Sequence, residues 1–130
     1  MGGSRGTNEL EGRVVNVEDR TRNTLVANTL TRDIQKNDKI IADYQKRLVE
    51  LPNEIEKARF ERDGARGNLI MQQNYGTANQ VNAAQKEVDD TEKRYNDLKQ
   101  EQKATQENLY AEHYDRKQNV DYRDYVRNRG

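Results

Sequence analysis

The chain has 130 residues, enough for one ordinary domain, but charged residues make up 35% of it and hydrophobic ones only 32%, with no Trp and a single Phe. That is too little apolar material for a compact core, so the composition favours paired helices, each burying one apolar stripe. The 23 basic and 23 acidic residues balance, which argues against a nucleic-acid binder, and no apolar run approaches the roughly 18 residues of a membrane span.

Cysteine is absent, excluding disulfides and thiolate metal sites and fitting a reducing, cytoplasmic compartment. The first residues lack the apolar core of a secretory signal. The chain opens Met-Gly, but Gly6 stands where a myristoylation signal has Ser or Thr.

Residues 1–15 read as a flexible arm, because Gly2, Gly3, Gly6 and Gly12 each disfavour helix by roughly 1 kcal/mol. Val14, Val15 and Val17 offer a short contact with another surface. Asn16 followed by Asp19 resembles an N-cap with an acidic first turn, so a helix is expected to start there.

From Leu30 a heptad runs through Ile34, Asn37, Ile41, Tyr44, Leu48, Leu51, Ile55, Ala58, Arg62, Ala65 and Leu69. Apolar side chains at alternating steps of four and three form the seam of a coiled coil, with polar residues between them. Pro52 interrupts the run, yet the heptad phase is the same on either side. A kinked but continuous helix accounts for that, and a broken helix is the alternative. The pattern lapses at Gln72–Gly76, where Gly76 suits a helix end. Thr77 and Gln80 form a capping box for the next helix. A second seam then runs Val81, Ala84, Val88, Thr91, Tyr95, Leu98, Gln102, Thr105 and Leu109.

A short turn at 73–77 makes the two helices antiparallel. Centring it at Asn74–Tyr75 sets Leu69 opposite Val81, Ala65 opposite Ala84, Ile55 opposite Tyr95 and Leu51 opposite Leu98. The expected fold is therefore all-α, an elongated antiparallel coiled-coil hairpin over residues 16–118 with extended polar termini. A parallel dimer through the first heptad run is the competing arrangement. At about 1.5 Å per residue the first helix, about 80 Å, outruns the second, about 60 Å. Leu25, Val26, Leu30 and Ile34 are then left without an intramolecular partner, and the pairing is expected to fray where Asn37 meets Glu112.

No catalytic, cofactor-binding or metal-binding constellation is legible. His113 is the only histidine, Gly64 and Gly67 lack the lysine and hydroxyl of a phosphate loop, and Asp89, Asp90 and Glu92 read as helix flanks. The two glycines, with Ala65, suggest close helix approach near the turn. Arg62 reads as a stem lying beside Val88, or as a contact for a third helix. Residues 119–130 form a tail rich in Tyr and Arg, the residue types that anchor interfaces. The candidate protein-interaction residues are Leu25, Val26, Leu30, Tyr122, Arg123, Tyr125 and Arg127.

The function expected from these features is non-catalytic: binding and bracing a larger protein assembly, such as a cytoskeletal filament, through the coiled coil and terminal arms. The alternative is a soluble adaptor or chaperone that holds an amphipathic partner helix. Partners are expected to be proteins, with no nucleic acid, no membrane span, no small-molecule substrate and no cofactor.

Overall fold

A computed structural model describes the backbone of residues 2–129 and the side chains of residues 19–129. It is an all-α helical hairpin of two helices, α1 (Gly2–Tyr75) and α2 (Ala78–Arg129). Every position of both expected seams is buried or half-buried, while most of the residues between them are exposed. The heptad therefore sets which face of each helix turns inward. Among the described residues no helix is long and apolar enough to cross a membrane.

Three expectations about the ends of the elements are corrected. The backbone of the segment read as an arm, residues 2–15, is helical and belongs to α1; its side chains, including Val14 and Val15, and that of Val17 just beyond it lie outside the described residues. Once a helix is nucleated, each added residue gains a hydrogen bond, which opposes the local cost of glycine. Residues 119–129 likewise continue α2 instead of leaving it as a tail. The inward face also extends in both directions past the apolar pattern, to Asn23 and Ala27 in α1 and through Glu112, Arg116, Asn119 and Arg123 to Val126 in α2. Ala27, Ile34 and Val126 are buried, so Ile34 is not left open.

Helix α1 continues through Pro52 without a break. Proline removes the amide that would reach the Leu48 carbonyl, but its ring stands on the exposed side while Leu51 beside it is fully buried. Helix termination at the turn is supplied locally. The Gly76 amide donates to the Gln72 carbonyl at 2.7 Å. Thr77 and Gln80 form the reciprocal capping box: the Thr77 amide donates to Gln80 Oε1 at 2.8 Å, and the Gln80 amide donates to Thr77 Oγ1 at 3.2 Å. Gly76 does not have a positive φ. Its missing side chain matters for space, since a Cβ would lie 2.8 Å from the Gln72 carbonyl oxygen and against its Oε1.

The contacts also correct the layer assignment. The turn residues are Gly76 and Thr77, two positions later than Asn74–Tyr75, and in an antiparallel pair this slides the partner by about half a heptad. The observed bonds agree. Arg47 pairs with Glu101, Arg66 with Glu92, Arg116 with Asp38, and Arg123 donates to Thr31. The layers centred on these contacts set Leu69 opposite Ala84, Ala65 opposite Val88, Ala58 opposite Tyr95 and Leu51 opposite Gln102. In the first three of these layers a large residue faces an alanine, the arrangement that fills a seam without overpacking.

Two compact units divide the hairpin, residues 42–110 and residues 1–41 with 111–130. Within the first, the Arg62 guanidinium lies 4.3 Å from the centre of the Tyr95 ring, in keeping with a side chain retained in the hairpin. Gly64 and Gly67 have open space where a Cβ would be, so they do not mediate close approach; Ala65, which is buried, faces α2 instead.

Candidate protein-interaction surface

All seven candidate residues fall in the unit formed by residues 1–41 and 111–130, but they divide into two groups. Heptad geometry puts Leu30 and Arg123 on the inner face. Both are half-buried, and the Arg123 guanidinium is drawn to the Thr31 hydroxyl, donating at 3.3 Å. Thr31 is free to accept because its own hydroxyl donates to the Ala27 carbonyl one turn earlier, at 3.0 Å. Arg123 Nε is buried and donates no hydrogen bond; its nearest carboxylate, Asp124, is 3.9 Å away. Leu30 and Arg123 are therefore engaged within the hairpin.

The outer group comprises Leu25, Tyr122, Tyr125 and Arg127, with Val26 half-buried at its edge. Leu25 is 62% exposed, Tyr122 53% and Tyr125 55%. The helix turn brings Tyr122 and Tyr125 together three residues apart. Their rings stack with centroids 6.4 Å apart and an interplanar angle of 18°. Arg129, not singled out by the sequence, completes this cluster: its guanidinium lies 5.3 Å from the Tyr125 ring centre and donates to the Tyr125 hydroxyl at 3.0 Å. The spacing of four between Tyr125 and Arg129 was the available signal. Arg127 lines a shallow groove with Arg20, Asn23, Ala27 and Val126.

The inner face of the same unit carries a polar knot. Asn37, only 3% exposed, donates from Nδ2 to Glu112 Oε1 at 2.6 Å and to Asp115 Oδ2 at 2.8 Å, and accepts from Asn119 Nδ2 at 2.9 Å. The expected meeting with Glu112 is found, but the pairing does not fray there. Asn37 fills a hole between successive turns of α2 with both amide protons and its oxygen satisfied.

The other unit presents an exposed apolar line that the sequence reading passed over. Phe60, Ile70 and Met71 are more than half exposed, and Phe60, Gly64, Gly67 and Met71 follow one another along a single outer face of α1. In the same unit, Arg47 donates to Glu101 Oε1 at 2.6 Å and to Glu54 at 2.5 Å. The guanidinium holds the Glu101 carboxyl below the ordinary carboxylate range despite some desolvation. Comparison with family models, curated proteins and solved structures finds no match for the chain.

Proposed function

We propose that this protein is a non-catalytic accessory subunit that binds and braces a larger protein assembly, of the cytoskeletal-filament kind. The observation that carries the reading is the stacked, half-exposed Tyr122–Tyr125 pair with Arg129 over it. Aromatic rings held by a helix offer interface area at small entropic cost, and arginine adds directed hydrogen bonds. Leu25, Val26 and Arg127 extend the same chemistry in that unit. The hairpin would supply stiffness, and these residues the attachment.

The test is a pelleting assay against large cellular assemblies, using the full chain and the double variant Tyr122→Ala/Tyr125→Ala. The variant should leave the pellet while circular dichroism still reports the helical content of the parent. Equal pelleting of both proteins would refute this attachment surface.

A second reading, a soluble adaptor for an amphipathic helix, is favoured by the exposed Phe60 and Met71 on one face of α1, with exposed Ile70 to one side of it. It predicts small soluble complexes that survive when the assemblies are removed, and their loss on Phe60→Ser.

A further inference from the structure

In the unit made by residues 1–41 and 111–130, the two inner faces are poorly matched. Helix α1 contributes Ala27, Leu30, Ile34 and Ile41, with Asn37 between the isoleucines and Asn23 at the end of the stripe. Helix α2 answers with Glu112, Arg116, Asn119 and Arg123; its apolar contribution is Val126, with Val120 half-buried at the edge. The register that centres on the Arg116–Asp38 and Arg123–Thr31 contacts sets Ile41 opposite Glu112, Ile34 opposite Asn119 and Leu30 opposite Arg123. Each layer thus lays a polar or charged stem over an aliphatic side chain, and Arg123 Nε is buried there with no acceptor. Removing polar groups from water under such cover opposes the gain from burying the aliphatic ones.

We propose that residues 111–129 of α2 are a displaceable cover, and that the α1 stripe beneath pairs instead with the same stripe of a second copy of this chain. The stripe is self-complementary when two copies run antiparallel about a two-fold axis. In that register Leu30 of one copy faces Ile34 of the other, and the symmetry repeats the contact. Asn37 then enters a hole bordered by Asn23 of the second copy, whose amide can donate to Asn37 in place of Asn119 and accept one of the two protons now given to Glu112 and Asp115. The flanks bring Val26 beside Asp33 and Thr31 beside Asp38, with no like charges opposed. A parallel, in-register pair would instead set Asp33 against Asp38 of the second copy on both sides. The exchange returns Glu112, Arg116, Asn119 and Arg123 to water and replaces the layers of Asn119 and Arg123, opposite Ile34 and Leu30, with aliphatic ones. It does not use the Tyr122–Tyr125 surface, so the two proposals fail separately.

The chain has no native cysteine, which allows a direct test in the full-length protein. Chains carrying Val26→Cys and chains carrying Asp33→Cys are mixed and treated with a short bismaleimide cross-linker. The mixed 26–33 product should predominate over both self-linked products, and sedimentation velocity of the parent chain should show a dimer fraction rising with concentration. Asn119→Leu/Arg123→Leu, which gives the cover apolar groups opposite Ile34 and Leu30, should lower that fraction. Self-linked products equal to or exceeding the mixed one, a monomer at every concentration, or a dimer fraction not lowered in the double-leucine variant would each overturn the exchange.

Discussion

Gly64, Gly67 and Gly76 lie within a short stretch of chain, yet a methyl group at each meets different surroundings. At positions 64 and 67 it would project into open space on an exposed helical face. Glycine there only adds backbone freedom to the unfolded chain. Gly64→Ala and Gly67→Ala should each stabilise the hairpin by about 0.5–1 kcal/mol, measured by chemical denaturation. At position 76 the methyl would meet the Gln72 carbonyl at 2.8 Å, so Gly76→Ala should destabilise by the same assay. Glu101 gives a residue-level prediction in pH. Its folded-state pKa is depressed, first by the hydrogen bond from Arg47, while Arg47 stays cationic throughout the accessible range. The stabilisation is therefore complete above the ordinary carboxylate range and is lost as the pH falls through and below it. The melting temperature of the parent should fall more on acidification than that of Glu101→Gln, and the difference should shrink in high salt.

At the scale of the element, Leu51 is the large side chain that is completely buried. Its truncation to Ala should cost about 2–5 kcal/mol, exceeding the loss at half-buried Leu30 or at Leu109. Comparable thermal midpoints for the three variants would contradict the packing described for α1. The apolar heptad revealed both seams, and the capping box revealed the start of α2, because both depend on side-chain types at fixed local spacing. The layer register was not legible in the same way. Heptads match equally well in two alignments half a heptad apart, and only the position of the turn chooses between them. The pattern carried the inner face of α2 as far as Glu112 and Arg116, where fraying was expected, but not on through Asn119 and Arg123. Their aliphatic stems occupy seam positions while their polar ends hydrogen-bond or form ion pairs at the edges, so an inner face made of them looks like an outer one in the sequence. The Tyr122–Tyr125 cluster was visible as composition; the partnership with Arg129 and the engagement of Arg123 with Thr31 required three dimensions.

For the whole molecule, the decisive question is whether both units keep their helix pairs within one chain. Paired spin labels answer it when labelled chains are diluted with unlabelled ones, which removes interchain distances. Labels at Arg66 and Glu92 report on the unit of residues 42–110, where those two side chains form an ion pair. Labels at Asp38 and Arg116 report on the other unit, where the Arg116 Nε–Asp38 Oδ1 distance is 2.5 Å. The layers in the first unit include Ile55 opposite Leu98 and Ala65 opposite Val88, so its pair should give a single short distance that does not change with protein concentration. The second unit sets Leu30, Ile34 and Ile41 against polar stems, and its cover is the part proposed to exchange. Its pair should give the same short distance at low concentration and a growing population of long distances as the chain is concentrated. A short, invariant distance at both sites would establish the hairpin while rejecting the exchange. Short distances that vanish at both sites on dilution with unlabelled chain would mean that the helices pair between chains, and the intramolecular hairpin itself would fall.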